Sequence, residues 1–195
     1  MVHGSVPPAS TVTAQAGVLA AIAHRWPTWL GLAITGVSFA ELDDGRSQAA
    51  VVFLAALLYL ATAILAKPGA AWIMWAASVV AMIGLEQLDI NPWPAYVASA
   101  VTLLVLAVAG GLLRRRRLTA AQAPAMLVFG AAAVAAVSLS PALGGYLVAA
   151  ALIGHATLDV ILWRANRVVT RSLTEFCAVL DFTLGIGIIA MQLLA

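Results

Sequence analysis

Residues 154–181 read GHATLDVILWRANRVVTRSLTEFCAVLD and carry one histidine, two aspartates, one glutamate and three arginines between two apolar runs. The rest of the chain avoids charge, since 64% of its 195 residues are hydrophobic and 9% are charged. Soluble domains carry about 25% charged residues, so this composition predicts a polytopic membrane protein. An ionisable side chain at the centre of a membrane helix costs about 2.5–3.5 kcal/mol on insertion scales. This stretch is therefore the candidate functional region.

Seven apolar segments separated by short polar turns predict an all-α fold with about seven transmembrane helices. Turn sequences such as DDGR, INPWP and SLSP divide the segments. A membrane helix needs roughly 17–25 residues, and the first segment is the shortest of the seven. The predicted spans are approximately 27–42, 48–66, 70–88, 93–113, 120–139, 141–163 and 173–194. Residues 1–26 are predicted to form a polar tail with an interfacial helix at 14–23, and residues 27–195 a single helical transmembrane domain.

The positive charges predict how the chain crosses the membrane. If the N-terminus is cytoplasmic, only Arg46 among the 10 Lys and Arg residues falls on the outer side. Cytoplasmic loops carry an excess of Lys and Arg, so we expect the N-terminus inside, the C-terminus outside, and the chain in the cell inner (plasma) membrane. The residues expected inside are Arg25, Lys67, Arg114, Arg115, Arg116, Arg117, Arg164, Arg167 and Arg171.

The chain lacks residues that several functions require. Cys177 is the only cysteine, which excludes an intramolecular disulfide and a multi-thiolate metal site. Lys67 is the only lysine and lies in a predicted loop, which excludes a retinal Schiff base in the seventh helix. No pattern of a nucleic-acid-binding module occurs. The expected partners are the lipid bilayer and, at the arginine run 114–117, anionic lipid head groups, while the sequence specifies no oligomeric state.

Three residues of the opening stretch are the candidate catalytic residues. His155 and Asp159 are four residues apart, so both project from one face of the sixth helix. His155 lies about eight residues, roughly 12 Å, from the cytoplasmic end of that helix. Asp181 lies about nine residues into the seventh helix, at similar depth. We expect these side chains to meet and to supply acid–base chemistry or to bind a divalent cation, although a purely structural hydrogen-bonded pair fits the same spacing.

The arginines beside this pocket have two interpretations. Arg164, Arg167 and Arg171 could bind a phosphate-bearing head group, because guanidinium groups hold phosphate with two parallel hydrogen bonds. The positive-inside rule alone also explains them, and an ion pair with Arg167 or Arg171 would then explain Asp159. Ser172 and Glu175 have the spacing of a capping box at the start of the seventh helix.

A second group of acids is expected near the outer surface. Glu41 lies at the end of the short first span, and Glu86 lies one turn inside the third. The two residues could share a proton or a cation there, or each could simply extend to water.

These features favour an enzyme acting on a lipid or isoprenoid in a pocket between helices six and seven that opens to the cytoplasmic leaflet. Carboxylates and histidines inside a helix bundle also build proton relays, so a proton-coupled small-solute transporter or channel is the alternative. A structural or accessory membrane subunit is the third hypothesis. The sequence names no cofactor, and a divalent cation is the one option considered.

Overall fold

The computed structural model describes residues 22–40 and 44–194, which are helical and contain no strand. The predicted interfacial helix at 14–23 falls almost entirely outside these residues, as does Glu41. Seven helices of 15 or more residues follow one another along the described chain. They are α1 (Trp26–Ala40), α2 (Ala49–Leu65), α3 (Ala71–Gln87), α4 (Trp93–Ala109), α5 (Gln122–Ser138), α6 (Pro141–Ala165) and α7 (Arg171–Leu194). The all-α prediction is confirmed.

By helix length, the described residues contain fewer spans than the seven predicted. Within residues 22–40 and 44–194, five helical segments are long and apolar enough to cross a membrane, and they correspond to α2, α3, α5, α6 and α7 with their flanking turns. The other two helices are shorter than these segments, which have 20 to 25 residues when their flanking turns are included. α1 has 15 described residues, and α4 has 17. The span predicted at 93–113 is shorter because α4 ends at Ala109 and is capped by Gly110, Gly111 adopts a φ of 67°, and a separate 3₁₀ turn, Leu112–Arg114, then begins.

Successive helices run in opposite directions, and the two ends of the bundle differ in charge. Arg115 donates to the Ala63 carbonyl at the end of α2, and Arg25 contacts Glu175 at the start of α7. We call this end the arginine end, and the opposite one, where α1 leads into α2, the Asp44 end. The sidedness of the two ends across the membrane stays a prediction from the positive-inside rule.

A compact ion pair organises the Asp44 end. Asp44 caps the 3₁₀ turn Gly45–Gln48 by accepting from the Arg46 backbone N–H at 2.8 Å. The Arg46 Nη2 donates to the Asp44 carboxylate at 2.7 Å, and its Nη1 donates to the Leu139 carbonyl at 2.9 Å. The hydrogen bonds from Arg46 hold the pKa of Asp44 below its ordinary value. The one cation of the Asp44 end is therefore engaged with Asp44 and with the end of α5.

The antiparallel pair α6 and α7 is the centre of the bundle. Gly185 of α7 lies close to α6, because a Cβ there would come within 3.0 Å of the Ala149 carbonyl oxygen. α1 packs on α7 on the side of Phe176 and Val179. α5 packs against both α2 and α6, and α4 packs on α2. Small residues allow this close packing, as is usual between membrane helices.

α3 differs from the others in being almost unburied. Ala71, its first residue, is its only buried residue. Its hydrogen bonds and ring contacts to other helices come from Trp72, Met74 and Trp75, all near the arginine end. The second half of α3 therefore forms a thin wall that is attached to the bundle at one end.

The start of α7 differs from the predicted capping box. The helix begins at Arg171, one residue before Ser172, so Ser172 is not in the capping position. Its hydroxyl instead accepts a hydrogen bond from the Trp72 ring N–H at 2.9 Å. Glu175 accepts from the Thr28 hydroxyl at 2.7 Å and from Arg25 at 3.1 Å. Ser172 thus attaches α3 to α7, and Glu175 attaches α1 to α7. The spacing of residues within one segment cannot predict such contacts with distant segments.

A pair of glycines in α1 tests this packing. A Cβ at Gly31 would lie 2.9 Å from the Phe176 carbonyl oxygen, whereas a Cβ at Gly36 would meet nothing within 4 Å. We expect Gly31→Ala to destabilise the protein by about 1–3 kcal/mol, because backbone must move to accept the methyl group. Gly36→Ala should be neutral or stabilising by up to about 1 kcal/mol. Thermal unfolding of the two purified variants checks this, and equal stabilities would contradict the close α1–α7 contact.

Candidate functional site

The predicted catalytic residues lie together in one buried cluster between α2, α6 and α7. His155 Nδ1 lies 2.9 Å from Asp181 Oδ2 and 3.4 Å from Asp159 Oδ2. The Tyr59 hydroxyl donates a short hydrogen bond to Asp159 Oδ1. The expected meeting of His155 with Asp181 is therefore present in the structure, while the catalytic role of these residues stays a prediction.

The cluster is sealed from the surroundings of the bundle. His155 and Asp181 are 1% exposed and Asp159 is 0% exposed. Taking an ion out of water costs several kcal/mol even after the protein relaxes. Two carboxylates at this depth therefore need compensating positive charge, either on the imidazole, as further protons, or as a bound cation. The arrangement is suited to holding and exchanging positive charge.

Tyr59 is the member of the cluster that the sequence reasoning missed. It is buried near the middle of α2, in the run AAVVFLAALLYLATAIL. Its ring packs against the His155 imidazole at a centroid distance of 5.0 Å, and Phe129 of α5 contacts the same imidazole edge-on at 5.1 Å. Tyr59 is the only tyrosine in this apolar helix. A buried tyrosine hydroxyl usually has a polar partner, so its presence could have predicted a polar group nearby.

A cavity of about 500 Å³ connects this cluster to the Asp44 end. Tyr59, Cys177 and Asp181 lie at its inner end, and Ser47 and Glu86 line its mouth. The distance from Ser47 to Tyr59 along α2 is about 18 Å at 1.5 Å per residue. Most of the remaining wall is aliphatic, with side chains from α1, α2, α3 and α7. The result is a long apolar chamber with polar groups at both ends.

Aromatic side chains close the chamber toward the arginine end. Trp75 and Phe176 line the cavity and pack edge-on with centroids 5.2 Å apart. Trp72 packs behind them, 5.6 Å from Trp75 and 5.5 Å from Phe176, and Trp26 stacks on Trp72 at 5.1 Å. These four rings separate the chamber from the arginines.

The position of this chamber corrects the predicted pocket. The pocket was expected between helices six and seven, opening at the arginine end, but the chamber lies between α1, α2, α3 and α7 and extends to the Asp44 end. Helices six and seven could not enclose it, because small residues such as Gly185 bring them into direct contact.

The arginines predicted to bind substrate are outside this chamber. Arg164, Arg167 and Arg171 are exposed, and none of them lines the cavity. Arg171 donates to the Trp163 carbonyl at 3.2 Å and lies over the Trp163 ring. The ion pair suggested between Asp159 and Arg167 or Arg171 is wrong, because Asp159 faces Tyr59 and His155. Arg164 follows Asp159 by more than one helical turn, and Arg167 and Arg171 lie beyond the end of α6.

The predicted outer site is only partly described. Glu86 is exposed and lies at the cavity mouth, while Glu41 lies outside the described residues. The structure thus brings Glu86 to the same chamber as Asp181, at the opposite end.

A second, shallower cavity of about 510 Å³ lies at the arginine end. Arg114, Arg115 and Arg116 line it together with Thr62 and Thr119. Its position agrees with the expectation that this arginine run meets anionic lipid head groups, which stays a prediction.

No protein-family profile, curated protein or solved structure matches this chain.

Two hydroxyl residues in matched positions test whether the chamber admits water. Ser78 in α3 lines the chamber, and Thr102 in α4 is exposed on the outside of the bundle; each donates to a carbonyl one turn earlier. In a Cys177→Ala background, we expect a small water-soluble methanethiosulfonate to modify Ser78→Cys at least about tenfold faster than Thr102→Cys, because a thiol must ionise in water to react. Reaction rates in proteoliposomes measure this, and equal rates would contradict a water-accessible chamber.

Proposed function

We propose that this protein is a membrane-embedded enzyme that performs acid–base chemistry on a lipid or isoprenoid substrate held in the chamber. The observation that carries the proposal is the position of Asp181. Its carboxylate belongs to the buried cluster with His155 and also lines the apolar chamber. A titratable group at the end of an apolar pocket is the usual setting of general acid–base catalysis.

The location of each residue in the cluster indicates its role in the proposed chemistry. Asp181 is the group that contacts substrate, because it is the cluster acid that lines the chamber. His155 exchanges a proton with Asp181 through their 2.9 Å contact. Asp159 lies beside the imidazole and stabilises its positive charge, and Tyr59 fixes the orientation of Asp159. His155 and Asp159 are thus positioning residues that act through Asp181, and Tyr59, which also lines the chamber, orients Asp159.

The chamber walls favour a substrate with a long apolar chain. The aliphatic side chains of α1, α2 and α3 supply apolar contact over most of the cavity, and the mouth offers the polar groups of Ser38, Ser47, Gln48 and Glu86. None of the residues lining this chamber is Lys or Arg. Hydroxyl, amide and carboxylate groups suit an uncharged or cationic head group better than a phosphate group.

The experiment compares two identical substitutions at different sites. Proteoliposomes containing the purified protein are supplied with a total polar lipid extract or with polyprenols, and products are followed by mass spectrometry. We expect Asp181→Asn to reduce product formation by at least about 100-fold, within the usual contribution of a general acid or base. Asp89→Asn is the control, because Asp89 is exposed at the end of α3.

Two results would contradict this function. The first is full turnover by folded Asp181→Asn, and the second is no product from the wild-type protein with either lipid class. Loss of thermal stability in Asp181→Asn would assign the residue a structural role instead.

A proton-coupled carrier is the second candidate, and the shape of the chamber favours it. The chamber reaches exposed residues at the Asp44 end and is closed by Trp72, Trp75 and Phe176 at the other. Alternating-access carriers hold their site between two such gates. An inward proton current in proteoliposomes, measured with a trapped pH-sensitive dye, would support it. Tight vesicles with no current contradict it.

A further inference from the structure

The structure points to a divalent transition-metal ion bound by His155 Nδ1, Asp159 Oδ2 and Asp181 at the inner end of the chamber. One ligand atom from each of the three residues lies within 4.8 Å of the other two. The imidazole nitrogen is 2.9 Å from Asp181 Oδ2 and 3.4 Å from Asp159 Oδ2. With bonds of about 2.1 Å, two ligands of one ion are about 3.0 Å apart at a right angle and about 3.4 Å apart at the tetrahedral angle. The separations from Nδ1 fit two ligands of one ion.

An unpartnered atom supplies the second argument. Asp159 is 0% exposed, and its Oδ2 makes no hydrogen bond within residues 22–40 and 44–194. Buried carboxylate oxygens are normally satisfied, and each exception needs an explanation. Tyr59 occupies the other oxygen, Oδ1, and thereby turns Oδ2 toward His155 and Asp181. A cation shared with those residues would satisfy this oxygen.

Charge balance gives the third argument. When both are ionised, Asp159 and Asp181 carry two negative charges, and neither contacts Lys or Arg in the part of the chain that the structure describes. A divalent cation with a neutral imidazole brings the site to zero net charge. Because uncompensated charge is so costly away from water, the ion would also stabilise the bundle.

The ligand chemistry selects the class of ion. One imidazole and two carboxylates suit Zn²⁺, Mn²⁺ or Fe²⁺, whereas Mg²⁺ and Ca²⁺ prefer oxygen ligands alone. Three protein ligands leave a coordination position free, as in catalytic zinc sites. Asp181 lines the chamber, so water or a substrate oxygen can complete the coordination from that side. The site shares its residues with the proposed active site, and with an ion bound the imidazole and carboxylates would act as ligands in place of the direct proton exchange between His155 and Asp181. Its test does not depend on turnover.

Zn²⁺ binding to the purified, tag-free and EDTA-treated wild-type protein is the primary measurement, by isothermal titration calorimetry. We expect one Zn²⁺ per chain, binding of Mg²⁺ at least about 100-fold weaker, and a higher melting temperature in the presence of Zn²⁺. Failure of folded wild-type protein to bind Zn²⁺ or Mn²⁺ overturns the proposal and leaves protons as the compensating charge.

Matched variants locate the ion. Asp159→Asn and Asp181→Asn should weaken Zn²⁺ binding by more than about 100-fold, and Tyr59→Phe by about tenfold, as expected for a residue that orients a ligand. Asp89→Asn, the same substitution at an exposed position, should bind as the wild type does. Wild-type affinity in both Asp159→Asn and Asp181→Asn overturns the site. If a variant fails to fold, the Zn²⁺ titration of the wild-type protein still tests the proposal.

The metal site and the proposed function fail in different ways. Stoichiometric Zn²⁺ binding without turnover overturns the enzyme alone. Turnover by EDTA-treated protein that binds no Zn²⁺ overturns the metal site alone.

Discussion

The contact between His155 and Asp181 is the constraint on which the rest of this structure depends. It joins α6 to α7 at the centre of the bundle, where both side chains are buried. Paired groups of this kind are costly to bury and far more costly to separate, because removing one partner leaves the other charge uncompensated. The surrounding helices consequently have to pack tightly around the His155–Asp181 pair. α2 contributes Tyr59 and α5 contributes Phe129 to the same enclosure.

The enclosure is asymmetric, and this asymmetry creates the chamber. Glycine and alanine allow α6 and α7 to pack directly on one side of the cluster. On the other side, α1, α2 and α3 leave an unfilled volume that extends to the Asp44 end. Protein interiors are normally close-packed, so an unfilled volume of this size beside buried titratable groups is typical of a binding site. The cluster thus meets tight packing on one face and a cavity on the other.

Sequence periodicity predicted much of this architecture. The helix positions follow from apolar length and turn residues, and the meeting of His155 with Asp181 follows from counting residues at 1.5 Å each. Helix length was less predictable, since the break at Gly110 and Gly111 depends on backbone conformation. The capping box at Ser172 failed for a different reason, because its groups bond to Trp72, Arg25 and Thr28 from distant parts of the chain.

The chamber could not be predicted because no single helix encodes it. A cavity is a gap between elements, and its walls come from four helices whose spacing depends on packing. The same limit concealed Tyr59, which is 100 residues from Asp159 in sequence. It also explains why Arg164, Arg167 and Arg171 lie outside the chamber. Their closeness to Asp159 along the chain corresponds to a displacement along the helix axis, toward the bundle end that the aromatic rings close off.

The sparse packing of α3 has a consequence for how the protein responds to its surroundings. The half of this helix that faces the chamber mouth contains no buried residue, so in a membrane its lateral support would come from lipid acyl chains. The width of the mouth would then depend on bilayer thickness and lateral pressure as well as on the amino-acid sequence. In detergent micelles, where that pressure is absent, the helix would lose this outer support. The bilayer would in this sense be a structural component of the chamber wall.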